Sequence, residues 1–320
     1  MTSVEDDPSF DASLAAHRVY AALWARGQLP LRVRIWRKLG RSEEALRAEE
    51  EELAGLGPPA DRVGFGLMKG FLDGSLGSRT ALLEAPWSDA PHEGCGVPVT
   101  DPALLRDWSL AAHAAGRQVG LHAIGDRAVR LALDAFEAIG AAHGPASLRA
   151  ARHRVEHAQV LRPEDVGRLA RLGVVASVQP IHLASDLRVA EARLGAARCR
   201  TSYGWRSLLA AGAHLAFGTD YPVEPLDPWP GIATALTRRS PRDPALPAFQ
   251  PDEALDLASA LRACTVGAAF AAQREERLGR LRPGDLADLA VWSRDPGASG
   301  DVADIRCELT VLGGQVVFEA

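Results

Sequence analysis

Lysine, histidine, histidine and aspartate recur in this chain at one kind of place. Lys69 ends the short apolar run 65–69 just before a glycine-rich loop, His122 ends VGLH, His157 ends RVEH, and Asp220 closes LAFGTD. Each is where a buried strand would hand over to a loop. Imidazoles and a carboxylate converging from separate strand ends suit a hydrolytic metal centre, which needs nitrogen or oxygen ligands, an open position for water and a nearby base. His122 and His157 stand 35 residues apart, about one strand-helix repeat, so they fall at matching heights on adjacent strands. Lys69 cannot ligate as an ammonium. It must lose its proton or be converted by carbon dioxide to a carbamate whose oxygens hold a metal. Asp220 is then ligand, base or both. The loop after Lys69 brings Asp73, Ser75 and Arg79 within reach of a substrate, and His182, four residues past the strand 174–178, is a further substrate or leaving-group contact.

These residues need a scaffold that collects strand ends on one face. The spacing of apolar residues predicts a helix over 10–27, with Leu14 on its apolar face, and strands over 31–36, 65–69, 118–122, 153–157, 174–178 and 214–218. Helical runs separate them, including a glutamate-rich one over 42–56 that Ser42 caps and whose charges read as a solvated face. Near-continuous apolar strands alternating with helices indicate a parallel sheet covered on both sides. Six strands fall short of the eight that close a (β/α) barrel, so the expected fold is an incomplete barrel over 1–275. From 276 the texture turns β-rich, with turns at Pro283-Gly284 and Gly313-Gly314, which predicts a small β-sandwich part over 276–320. His153, at the opening end of its strand, reads as structural.

Composition narrows the function classes. A net charge of -5 leaves no broad basic surface, which argues against nucleic acid and anionic membranes and favours a small-molecule partner. No run approaches the roughly 20 apolar residues needed to span a bilayer. Four scattered cysteines, Cys95, Cys199, Cys264 and Cys307, make no disulfide framework and no cysteine zinc site, and a reducing cytoplasm is the expected compartment.

The segments LMKGFLDGSLGSRTA, GLHAIGDRA, RHRVEHAQ, ASVQPIH, LAFGTDYPV and LGRLRPGDLADLAVW resemble the amidohydrolase superfamily, in the branch that contains N-substituted formamide deformylase. That resemblance implies a metal-binding barrel carrying a composite β-sandwich, the six strands being its third to eighth. It implies that His122 and His157 hold zinc or a similar divalent ion, that Lys69 is a carbamylated bridge or ligand, that Asp220 shuttles a proton, and that an amide-type carbon-nitrogen bond is hydrolysed by metal-activated water. The superfamily's first strand carries His-x-His, and this sequence has none. The similarity in these motifs starts near residue 10, so the expectation is a chain lacking the family's N-terminal part, the C-terminal three-fifths of a longer enzyme. Such a chain is either inactive alone or works with a separate N-terminal piece. Open sheet borders call for cover, by a second copy of the chain or by that segment.

Overall fold

The computed structural model describes residues 1–10, 15–298 and 301–320. Its centre is a parallel sheet of seven strands in chain order: β1 (Ser3–Asp6), β2 (Arg32–Lys38), β3 (Val63–Phe71), β4 (Val119–Ala123), β5 (Arg154–His157), β6 (Val175–Val178) and β7 (His214–Phe217). All six strands expected from the apolar runs are present. The seventh, β1, has the polar sequence SVED and pairs in parallel with β2.

Helices alternate with the strands: α1 (Ala16–Ala25), α2 (Glu43–Leu56), α3 (Pro102–Ala114), α4 (Asp126–His143), α5 (Pro145–Ala151), α6 (Pro163–Leu172), α7 (Pro180–Asp186), α8 (Ala190–Cys199) and α9 (Trp205–Ala210). After β7 come α10 (Trp229–Thr237), α11 (Leu257–Arg262) and α12 (Ala268–Ala271). The start of the helix expected over 10–27, Leu14 included, lies outside the described residues. Local chemistry sets the helix ends. Ser42 accepts a hydrogen bond from Ala45 N at the head of α2, Asp101 accepts from Ala103 N and Leu104 N at the head of α3, and Gly173 closes α6 at φ 70°. The main core lies between the strands and α3, α4 and α6, through Leu121, Val155, Phe136 and Leu169, all buried.

The sheet is curled. Across a flat sheet β1 and β5 would stand four strand spacings apart, roughly 19 Å. Here Arg154 of β5 forms an ion pair with Glu5 of β1 and lies 5.0 Å above the Trp36 ring of β2. A TIM-type barrel fills its interior with layers of branched apolar residues. This concave face instead carries Glu5, Arg154, Glu156 and Ser177, with Arg154 Nε 2.7 Å from Glu156 Oε1 and Nη2 2.9 Å from Ser177 Oγ. Strands β1 and β7 are the two edges, so the structure is a partial barrel.

The glutamates of α2 are only in part a solvated face: Glu44 and Glu51 are exposed, and the others meet cations. Glu43 and Glu50 pair with Arg117, Glu50 also with Arg37, Glu49 with Arg41, and Glu52 with His17 and Arg18. The helix lies over charged neighbours, and its acidic side chains answer them.

The C-terminal sheet is antiparallel, in the order β10, β9, β8, from β8 (Leu289–Trp292), β9 (Cys307–Leu312) and β10 (Gln315–Glu319). Gly313 and Gly314 join β9 to β10 at φ 57° and 83°, the paired left-handed conformation that a two-residue hairpin requires. Asp288 docks this sheet on the partial barrel. Its carboxylate accepts from Arg32 Nε at 2.7 Å and from Gly313 N at 2.8 Å, and both charged side chains are buried.

Candidate metal centre

Sheet register brings the expected residues to one end of the strands. Lys69 pairs with Gly120, His122 with both Phe71 and Glu156, and His157 with Ala123. The His122 and His157 ring centroids lie 4.4 Å apart, edge to face. His182, on α7 just past β6, stacks on His157 at 5.6 Å with an interplanar angle of 13°. Asp220 follows β7 and places Oδ2 3.4 Å from His182 Nε2. Backbone strain gathers here. His157, Ala158 and Asp220 have φ of 75°, 44° and 60°, left-handed values that non-glycine residues rarely adopt and that cluster at functional sites.

One ligand atom from each of His157, His182 and Asp220 lies within 4.8 Å of the other two. Two of the atoms in this corner, His157 Nδ1 and His182 Nε2, are buried with no hydrogen-bond partner. Two imidazoles and a carboxylate are the donor set of a divalent cation of the zinc type, and three protein ligands leave the further coordination position that a hydrolytic ion needs. The residues therefore fit a metal.

Burial favours the neutral form of His122 and His157, as ligation requires. His122 is pushed down to about 4 by desolvation first and by the Lys69 charge second. His157 is held well below the ordinary imidazole range by desolvation, then by His122, Lys69 and His182. His122 Nε2 lies 3.0 Å from the Gly74 carbonyl and 3.5 Å from Asp73 Oδ1. A carbonyl only accepts, so His122 carries its proton on Nε2 and keeps its lone pair on Nδ1.

Lys69 is 4% exposed. Its Nζ lies 3.6 Å from Asp7 Oδ2, 4.9 Å from the Trp36 ring centroid and 5.1 Å from that of Phe71. As an ammonium it offers no lone pair. It stands close enough to both imidazoles to bias their protonation.

The three loop residues fall in different places. Asp73 is 1% exposed, and its carboxylate accepts from Leu82 N, Ile124 N and Gly125 N at 2.8, 3.0 and 2.8 Å. Both its oxygens accept from backbone amides, so it fastens the loop under His122. Burial raises it to about 7 against those three donors. Arg79 turns to the acidic loop, with Nη2 2.9 Å from Asp89 Oδ2 and Nη1 3.4 Å from Glu93 Oε1. Ser75 is exposed and hydrogen-bonds Ser78 Oγ at 2.8 Å. His182, expected as a substrate contact, instead stands among the candidate ligands. Sequence reasoning passed over Gln159 and Gln179, which lie beside the two stacked imidazoles, although both sit inside the quoted motifs. It also passed over Asp7. His153 is structural as expected, with Nδ1 accepting from Val119 N at 2.9 Å and Nε2 2.9 Å from His113 Nδ1.

A curled parallel sheet with imidazole and carboxylate ligands gathered beyond its strand ends defines the class of metal-dependent hydrolases built on (β/α) barrels. The chain belongs to the amidohydrolase family, whose profile matches residues 1–318. That match overturns the expectation of similarity starting near residue 10 with the family's N-terminal part lacking: it starts at the first residue, and β1 supplies a strand there. The chain is 42% identical over 229 residues to the Protein LONG AFTER FAR-RED 3 of Arabidopsis thaliana, covering 71% of this chain and 38% of that one. It is 36% identical over 305 residues to YtcJ of Bacillus subtilis strain 168, covering 94% and 55%. An uncharacterized metal-dependent hydrolase from Pyrococcus horikoshii superposes with a TM-score of 0.70 at 32% identity, over 89% of this chain and 53% of its own. The chain thus spans about half the length of the relatives it matches, or less. Among the described residues no helix is long and apolar enough to cross a membrane.

Proposed function

We propose that the chain carries the catalytic centre of a metal-dependent amidohydrolase that cleaves an amide-type, non-peptide carbon-nitrogen bond in a small molecule. The observation that supports this reading most is the approach of His157, His182 and Asp220 ligand atoms to within 4.8 Å of one another. A divalent ion held there, with zinc the expected one, supplies Lewis acidity toward a carbonyl oxygen and lowers the pKa of water. The remaining roles belong to side chains. Asp220, at 38% side-chain exposure against 11% for His182, is the member best placed to exchange a proton with solvent and pass it to a departing nitrogen. His122, its proton held on Nε2 by the Gly74 carbonyl, keeps a lone pair on Nδ1 with which it would serve as a further donor beside the cluster of three. Lys69 would take part as a ligand only deprotonated or as a carbamate, and it is buried beside Asp7, Trp36 and Phe71. Ser75 and Arg79, on the loop after Lys69, are proposed as substrate contacts, for which Arg79 would have to leave Asp89 and Glu93. The amide class is supported by family membership and by the motifs shared with the formamide deformylase branch. Residues 1–275 form the catalytic unit and 276–320 the sandwich part. Four unpaired cysteines accord with a reducing cytoplasm.

The test is metal analysis of the purified chain against His157→Ala, followed by hydrolysis assays on N-acyl and N-formyl amines with zinc, cobalt or manganese. Retained metal stoichiometry in His157→Ala would sink the reading.

A further inference from the structure

Four buried polar atoms without a hydrogen-bond partner belong to side chains around one point: His157 Nδ1, Gln159 Oε1, Gln179 Oε1 and His182 Nε2. Buried polar atoms are nearly always paired, so this concentration marks a place whose partner comes from outside the chain. Gln159 is 4% exposed, and its Nε2 stands 3.3 Å from His182 Nδ1. An amide nitrogen only donates, which makes Nδ1 the acceptor and leaves the imidazole proton on Nε2, 3.4 Å from Asp220 Oδ2 and without a hydrogen-bond partner. In that arrangement Nε2 has no lone pair for a cation. A half-turn of the carboxamide about its last bond keeps its shape and sets Oε1 opposite Nδ1. Oxygen only accepts, so the proton must then sit on Nδ1, and Nε2 turns its lone pair toward Asp220. Two electron-rich atoms at that distance need a positive charge between them.

We propose that Gln159 is a positioning residue of this centre, whose carboxamide orientation decides which nitrogen of His182 carries the proton and so whether the His157, His182 and Asp220 cluster accepts a divalent cation. The inference rests on the metal reading above. Proton balance is simple: as the cation arrives, one proton leaves Nε2 to solvent and one is taken up at Nδ1, so His182 stays neutral. The half-turn gives the Gln159 oxygen a donor in the His182 Nδ1 proton and carries the amide nitrogen to the position the oxygen held. Gln179, the other buried carboxamide of the corner, donates from Nε2 to the Ser177 carbonyl at 3.4 Å and leaves its own Oε1 without a partner.

Nitrogen-15 NMR of the histidine-labelled chain reads the tautomer directly. Metal-free wild type is expected to show His182 with its proton on Nε2, and zinc loading to move it to Nδ1. Gln159→Glu presents oxygens alone and is expected to show the Nδ1 proton even without metal. Gln159→Leu and Gln159→Asn, which withdraw the partner, are expected to bind zinc about 10–100-fold more weakly with unchanged thermal unfolding, as for other lost partners of ligand histidines. The proposal is overturned if Gln159→Glu leaves the metal-free tautomer as in wild type, or if Gln159→Leu and Gln159→Asn bind zinc as wild type does. A chain that binds no zinc at all refutes the metal reading instead, while the metal-free comparison with Gln159→Glu still decides the role of Gln159.

Discussion

Lys69 Nζ lies 3.6 Å from Asp7 Oδ2, which ties the third strand to the segment just past the first and leaves the lysine charge facing two neutral imidazoles. That charge lowers the protonation tendency of His122 and His157. In Lys69→Met the charge is gone and the shape largely kept, so the His122 pKa is expected to rise from about 4, measured by NMR titration of its ring protons. An unmoved titration would show that Lys69 is electrically remote from the site. If carbamate formation recruits Lys69 to the metal, zinc uptake is also expected to depend on bicarbonate in wild type and not in Lys69→Met.

Asp220 separates binding from chemistry. Asp220→Asn keeps one oxygen as a donor to a cation while losing the basic carboxylate. Metal content is expected to fall modestly, and kcat by about 100-fold or more, the scale of a lost general base. Equal kcat in the two proteins would remove Asp220 from the proton path.

His153 contributes to the loss of stability in acid, beside His122 and His157, whose protonation burial also opposes. It is buried against His113 and stacked on Phe136 at 5.2 Å, and desolvation pushes it down to about 3, from an ordinary 6.5. Between these values the unfolded chain binds the proton and the folded chain does not. Its contribution is therefore complete above pH 6.5 and is lost progressively as the pH falls toward about 3. Urea unfolding should show a decline over that window that is shallower in His153→Gln, whose amide can accept from Val119 N and donate to His113. Identical pH profiles would assign the decline to other groups.

Asp288 fastens the C-terminal sheet. Asp288→Ala leaves Arg32 with Asp61 alone, at 2.7 Å, and removes the acceptor for Gly313 N. Breaking a buried pair from one side costs about 3–5 kcal/mol, and the surviving Asp61 contact puts the expected loss near the lower figure. Hydrogen exchange should quicken first in β8 to β10. Uniform exchange across the chain would mean that the sheet is held elsewhere.

Much of this was legible in the sequence, for identifiable reasons. Strands β2 to β7 carry apolar runs that turns and glycines bound, so periodicity finds them. Strand β1 escapes because SVED carries no apolar pattern, and Glu5 is paired there with an arginine 149 residues away. His122 and His157 were readable from their strand-end positions. His182 was harder, since it rides on the short helix α7 and its closeness to Asp220 depends on how two loops fold back. Asp73 was misplaced for a similar reason: a glycine-rich loop reads as open to substrate, and nothing in the string shows that three backbone amides will surround the carboxylate.

The ion pair between Glu5 and Arg154 makes the bend of the sheet an electrostatic quantity. Flattening it would swing the fifth strand, and His157 with it, away from the first three strands, so the reach of the imidazoles is governed by a pair of charges that touch no ligand atom. Alterations deep in the trough, far from any reacting bond, should thus retune the centre as surely as alterations in its own lining.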